Sequence, residues 1–368
     1  MRNVSRKFSF KFFIGLSLVL LLIGLLHFRA NSRAKLEAVV KSDSAYQPSK
    51  DDGAFEAGTI EEMLLHDSKR NKDLPVRIDF PKSKGTFPVI VFSHGAGASG
   101  SSYVPLTRFW ATHGYVVIQP THADSISLRR EQGENARMID ILEGSALNDP
   151  AAWEARARDI SFILDSFAEI ERRAPELKGK MDTKRIGIGG HSYGAYTSQL
   201  IAGATINTHG AKPAQSFRDE RPRAIMLLSP QGRNAQGLTD TSWQQMTRPM
   251  ISMTGTLDKG LSGQPFEWRL DPFKFSPAGD KYQVLMTGAN HLSFTGRLAE
   301  GHPAIGLLAR RNAGLNGGAD QKAIFDYIKM ASLAFWDSYL KDETKAKEYL
   351  KSDALVTYSR SAVKLSRK

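Results

Sequence analysis

The chain has 368 residues, lacks cysteine, and carries a formal net charge of +12 from 50 Lys and Arg against 38 Asp and Glu. The missing thiols exclude disulfides, a lipid-modified cysteine and thiolate metal sites. Residues 1–50 hold nine basic against two acidic side chains and residues 341–368 eight against four, leaving 33 against 32 in residues 51–340. The basicity is terminal, which excludes a nucleic-acid-binding face on the body.

Arg2, Arg6, Lys7 and Lys11 precede an uncharged apolar run from Phe12 to Phe28. A basic head before such a run marks residues 1–28 as an export signal or a membrane anchor. Its seventeen residues fall short of the ~20 that usually span a bilayer. Cleavage and retention both stay open, and either fate puts the catalytic part outside the cytoplasm, in the periplasm or secreted. Residues 29–55 are polar and poor in large apolar side chains, and read as a linker. The segments Gly58–Leu65 and Leu74–Phe80 then form an entry hairpin at a sheet edge, the second alternating Val76, Ile78 and Phe80.

Phe87–Phe92 is a continuous apolar run, as expected of a central parallel strand. It breaks into Ser93-His94-Gly95-Ala96-Gly97-Ala98, a small-residue loop with exposed N–H groups. A helix near Tyr103–Thr112 stops at His113-Gly114 and leads to the strand Tyr115–Gln119. Thr121–Pro150 is long, polar and charged, which suggests an excursion over an active-site mouth. Ala151–Ala168 has helical periodicity.

Arg185 to Leu200 reads RIGIGGHSYGAYTSQL. Ile186 and Ile188 belong to a buried strand, Ala195–Ala202 to a helix, and Gly190-His191-Ser192-Tyr193-Gly194 matches G-x-S-x-G between them. A strand turning at once into a helix strains its central residue and holds the Ser192 hydroxyl at the carboxyl edge of the sheet, above a helix N-terminus. A serine hydroxyl needs a base. Downstream, the strand Arg248–Thr254 ends in Gly255-Thr256-Leu257-Asp258, and the strand Tyr282–Met286 is followed by Gly288-Ala289-Asn290-His291. Asp258 and His291 therefore each lie just past a strand. The order Ser, Asp, His is the one an α/β-hydrolase triad requires. His291 is the expected general base and acid, and Asp258 its orienting carboxylate, with Asp240 and Asp271 as rivals by position. The Ala96 and Tyr193 N–H groups are the expected oxyanion donors, and His94 is a structural hydrogen bonder.

Another strand, Arg223–Leu228, ends in Ser229-Pro230-Gln231-Gly232. Residues 205–221, 259–280 and 296–320 are loops. Ala323–Leu340 closes the domain with an amphipathic helix that turns Ile324, Ile328, Ala331, Phe335 and Tyr339 inward. Strands alternating with helices give a mostly parallel sheet covered on both faces, in one catalytic domain over residues 56–345 with a solvated basic tail at 346–368.

The segments SHGAGAS, HGYVVIQPTHADS, RIGIGGHSYGAYTS, SPQG, MTGTLD and GANHLSF resemble the α/β-hydrolase branch that contains platelet-activating-factor acetylhydrolase-like enzymes. Predicted dienelactone hydrolases and chlorophyllases lie nearby. The resemblance implies an α/β-hydrolase fold with lid insertions and a carboxylic-ester hydrolase acting on a small or lipid-like ester. It also implies Ser192, Asp258 and His291 as the triad and no cofactor or metal. An acyltransferase, a serine peptidase or a silent binding module on the same fold are the alternatives. Dienelactone hydrolases use a cysteine nucleophile, which this chain lacks.

Overall fold

The computed structural model describes residues 46–208, 214–301 and 319–368. The chain divides into two units, Met1–Tyr46 and Gln47–Lys368. The apolar segment 12–28 and the greater part of the linker lie outside the described residues. Among the described residues no helix is long and apolar enough to cross a membrane.

The second unit is built on a nine-stranded sheet. Its strands are β1 (Ala57–Asp67), β2 (Lys72–Pro81), β3 (Phe87–Ser93), β4 (Val116–Pro120), β5 (Met181–His191), β8 (Pro222–Leu228), β9 (Met250–Gly255), β10 (Lys281–Met286) and β11 (Val363–Arg367). A two-residue ribbon, β6 (Thr205–Ile206) with β7 (Gln215–Ser216), stands apart. The spatial order is β1-β2-β4-β3-β5-β8-β9-β10-β11. Strands β4 to β10 in that order pair in parallel, while β1, β2 and β11 run antiparallel to their neighbours at the two edges. With helices on its faces, this is the α/β-hydrolase fold.

The central strands read as unbroken apolar runs because both faces are covered. All seven residues of β3 and all six of β9 are buried. Helices α1 (Val104–Thr112), α2 (Pro150–Asp165), α3 (Tyr193–Ala202) and α4 (Gln321–Leu340) supply the main cover. α4 is buried on more than one stripe: besides the five inward residues expected of it, Trp336, Leu333 and Leu340 are also buried. Gly187 on β5 makes room for it, since a Cβ there would come within 2.6 Å of the Trp336 ring. Trp336 meets Trp110 of α1 edge-to-face at 6.0 Å, and the Trp110 indole N–H donates to Ser332 Oγ at 3.0 Å. The two covering helices are thereby locked to each other.

The polar excursion after β4 is partly ordered, with short helices at Ile126–Glu131, Met138–Glu143 and Ser145–Asn148. The linker docks at its end. Phe55 packs edge-to-face on Phe87 at 5.4 Å, and its N–H donates to Thr112 O at 3.0 Å.

The C-terminal residues differ from the expected solvated tail. They form helices Thr344–Lys351 and Ala354–Tyr358 and then β11, which pairs with β10 over Val363–Arg367. The basic composition concealed alternation: Val363 and Leu365 point inward and are buried, while Lys364 is exposed. β11 also covers the otherwise open edge of β10, a surface prone to pairing with other chains. A chain ending at Ser361 is expected to melt at least about 5 °C lower and to aggregate on heating. An unchanged melting temperature would show that β11 contributes nothing.

Candidate active site

The site lies at the carboxyl ends of the parallel strands. β5 delivers its last residue, His191, and α3 begins at Tyr193, so Ser192 occupies the turn alone with φ 55° and ψ −119°. A non-glycine residue there is strained. The surroundings hold it: Ser192 N–H donates to Leu228 O at 2.9 Å, and its carbonyl accepts from Tyr196 N–H at 3.0 Å. Both flanking glycines are sterically required. A Cβ at Gly190 would run into the Gly194 carbonyl, and one at Gly194 into the carbonyl of Ser93 at the end of β3.

Asp258 follows β9 in a turn closed by its N–H to Gly255 O at 3.0 Å, and Thr254 Oγ1 donates to its Oδ2 at 2.9 Å. His291 follows β10, behind Asn290, whose side chain accepts from Leu292 N–H at 2.9 Å. A Cβ on Gly255 would strike Ala289, so this glycine lets the two loops close on each other. His291 Nε2 lies 2.9 Å from Ser192 Oγ, and its Nδ1 lies 2.9 Å from Asp258 Oδ1. With the carboxylate accepting Nδ1–H, the Nε2 lone pair faces the serine hydroxyl. The structure thus brings the three expected residues together. The rival Asp271 is held elsewhere, accepting from the Arg233 backbone N–H at 3.0 Å and from its Nε at 3.1 Å.

The loop after β3 abuts this serine: a Cβ on Gly95 would lie 3.5 Å from Ser192 Cβ. Its N–H groups are nearly all committed. Gly95 N–H donates to Tyr103 Oη at 3.1 Å, Gly97 N–H to Asp124 Oδ2 at 3.0 Å, and Ala98 N–H to Gly95 O at 3.2 Å. Ala96 N–H has no acceptor among the described residues. Tyr193, the other expected donor, opens α3 directly after the serine. Among the described residues no group of three or more His, Asp or Glu side chains converges as metal ligands would.

Parts of the chain are similar to known proteins. The chlorophyllase family model matches residues 50–148, a stretch that contains the Ser93–Ala98 loop. The platelet-activating factor acetylhydrolase of Cavia porcellus is 23% identical over 291 residues, covering 73% of this chain and 61% of that one. Its counterpart from Canis lupus familiaris is 23% identical over 283 residues, covering 69% and 57%. Chlorophyllase-1 of Citrus sinensis is 36% identical over 85 residues, 22% of this chain and 26% of that one. The chain is thus distantly similar to chlorophyllases and to platelet-activating factor acetylhydrolases. It spans about three-fifths of the length of the acetylhydrolases it matches.

Around this site stand residues that sequence reasoning missed. Arg269, in a loop read as featureless, is almost wholly buried. Its Nε lies 2.8 Å from Asp258 Oδ1 and donates to Asp258 O at 2.9 Å, while its other nitrogens donate to Ser229 O, Pro230 O and Lys259 O. Burial alone would raise the Asp258 pKa. That burial is the largest single influence, but the Arg269 charge, His291 and the Ser229 hydroxyl together outweigh it and hold the carboxyl well below the usual carboxylate range. Ser229, at the end of β8, has φ 54° and puts its Oγ 2.8 Å from His291 Nδ1. No spacing motif announces either residue.

His191, the variable residue of the serine motif, is also structural. Its Nδ1 lies 2.7 Å from Tyr103 Oη and its Nε2 2.9 Å from the His291 carbonyl oxygen. Since that carbonyl can only accept, Nε2 carries the proton and the tyrosine donates to Nδ1. Burial, reinforced by His291, keeps the ring neutral by lowering its pKa well below the ordinary value. Tyr103, Trp243 and Phe294 are buried in packing.

Two outcomes follow for stability. Arg269→Met leaves Asp258 buried without its counter-ion and is expected to cost about 3–5 kcal/mol in denaturant unfolding. His94, His122 and His191 all have lowered pKa values, that of His122 falling to about 4 through burial and then the Arg156 charge. Between pH 6.5 and 4 the unfolded chain therefore binds protons that the folded chain refuses, and stability falls as pH falls through that window. The urea midpoint is expected to drop steadily from pH 7 to pH 4.5, and a flat profile would contradict the buried neutral histidines.

Proposed function

We propose that this protein is a serine-dependent carboxylic-ester hydrolase. The observation that carries the reading is the unbroken hydrogen-bonded line from Ser192 Oγ through His291 to the buried Asp258 carboxylate, at 2.9 Å for each step. Ser192 Oγ attacks the ester carbonyl while its proton passes to His291 Nε2. The carbonyl oxygen becomes an oxyanion held by the Ala96 and Tyr193 N–H groups. His291 then protonates the leaving alkoxide, and the C–O bond breaks to leave an acyl-Ser192. Water, deprotonated by His291, attacks that ester and releases the acid. Asp258 orients the ring and stabilises its cationic form.

The names of the relatives, an acetylhydrolase of platelet-activating factor and a chlorophyllase, support a lipid-like ester as the substrate class. The basic, apolar N-terminal stretch supports a place outside the cytoplasm. The soluble form beginning near Gly53 is to be assayed on p-nitrophenyl esters of graded acyl length, against peptide anilides and with competing alcohol acceptors. Ser192→Ala is expected to abolish turnover and fluorophosphonate labelling, and Asp258→Asn to lower kcat about 10⁴-fold. Wild-type protein that neither labels nor turns over any ester would refute the reading. Anilide cleavage, or acyl product in place of free acid, would reassign it to a peptidase or an acyltransferase.

A further inference from the structure

Behind the Ser93–Ala98 loop lies a second Ser, His, Asp array. His122 Nδ1 is 2.8 Å from Asp159 Oδ2, and His122 Nε2 is 2.9 Å from Ser93 Oγ. All three side chains are fully buried, so no ester reaches them and the array is not a second hydrolytic centre.

Its protons have one consistent arrangement. The Asp159 carboxylate can only accept, so Nδ1 of His122 carries the proton and Nε2 accepts from the Ser93 hydroxyl. The backbone N–H of His122 donates to His94 Nε2 at 2.9 Å. His94 must therefore carry its proton on Nδ1, which donates to Gly95 O at 2.6 Å. Burial, with Arg156 beside them, disfavours a charge on either ring. Asp159 is neutralised from the far side by Lys72 Nζ and Arg70 Nη1, each at 2.7 Å from its Oδ1. One turn earlier on α2, Arg156 donates to His94 O at 2.8 Å and to Asp124 Oδ1 and Oδ2 at 2.9 Å, and its guanidinium lies 4.2 Å over the Tyr193 ring. The same Asp124 accepts from Gly97 N–H.

We infer that the Asp159–His122–Ser93 array, coupled through His94, is a positioning relay that holds the loop so that Ala96 N–H stays aimed at the oxyanion. The inference rests on the ester-hydrolase reading. Oxyanion binding accelerates a reaction only when its donors are already in place as charge develops. A glycine-rich loop does not hold such a pose unaided. Here the relay ties both ends of the Ser93-His94 step to α2, and the Ala96 N–H, which has no acceptor among the described residues, is the one the oxyanion needs.

The test uses p-nitrophenyl acetate and an aryl boronic acid, which forms a tetrahedral adduct on the active serine. His122→Phe keeps the ring volume and removes both polar links. It is expected to lower kcat by about 10²-fold, the scale of losing one oxyanion donor. It should weaken boronate inhibition by a similar factor and leave KM within about threefold. Ser93→Ala, which leaves the His122–Asp159 pair intact, is expected to lose about tenfold in both kcat and boronate affinity, and carries the test if the histidine variant fails to fold. His122→Gln, which keeps an acceptor for the Ser93 hydroxyl, is expected to recover most of the loss. Folded variants whose kcat and boronate affinity stay within about threefold of wild type overturn the inference. So does a fall in kcat with boronate affinity unchanged. A wild-type protein inert to both ester and boronate would remove the hydrolase reading as well, and so separates the two failures.

Discussion

The contact between the Gly194 backbone and the Ser93 carbonyl governs the rest of the site. β3 and β5 are adjacent and parallel, so their carboxyl ends emerge side by side. α3 must start immediately after β5 and pass over the end of β3. A side chain on Gly194 would push the helix away. Without it, the helix settles against β3, Ser192 is forced to positive φ, and the loop after β3 comes into contact with the serine. Backbone strain at one residue and proximity of two loops therefore have a single steric origin. The strain of order 1–3 kcal/mol that such a conformation costs is offset by the hydrogen bonds that clamp Ser192 between Leu228 and Tyr196.

Electrostatics hold what sterics assemble. Three carboxylates support the loops of the site, each with its own cation: Asp258 with Arg269, Asp124 with Arg156, and Asp159 with Lys72 and Arg70. Buried ion pairs are weak contributors to net stability, because desolvation consumes most of the Coulombic gain. Their distribution is informative for another reason. Arg269 and Arg156 spend donors on loop carbonyls: Arg269 on the turns after β8 and β9, Arg156 on the loop after β3. A guanidinium has five donors in a rigid plane, so one buried arginine can position several backbone groups at once. The carboxylate keeps that cation in place, and the loops, which lack a ladder of their own, acquire a fixed geometry from it.

This division explains what was legible in the sequence. Strands buried on both faces appear as apolar runs, and β3, β4, β5, β8, β9 and β10 were all visible in that way. Ser192, Asp258 and His291 were visible because each stands directly after such a strand. The supporting shell left no comparable trace. Arg269 and Arg156 look like ordinary surface arginines in sequence, and their burial depends on partners 11 to 62 residues away. His122 and Asp124 lay in the segment read as an excursion. The spacing of Arg156 and Asp159 does put them on one helix face, which was the signal available. β11 was misread because five residues with two basic side chains resemble a solvated tail until the open edge of β10 is known.

The topology also locates where this protein can vary. The residues of the proposed chemistry come from the ends of β3, β5, β9 and β10, all strands of the parallel block, whereas β1, β2 and β11 close the edges by antiparallel pairing. An edge strand can be added or lost without moving the serine, because the register at the centre is set by its own neighbours. The stretch shared with the chlorophyllase model contains the donor loop and the His94–His122 pair but none of the three residues of the proton line. The excursion between β4 and α2 is anchored on that loop: Ile126 and Met138 pack where a Cβ on Gly97 would point, and Met138 and Ile139 remain about half exposed. Changes in that excursion therefore reach the Ser93–Ala98 loop directly, both at Gly97 and through His122 and Asp124, which the excursion itself supplies.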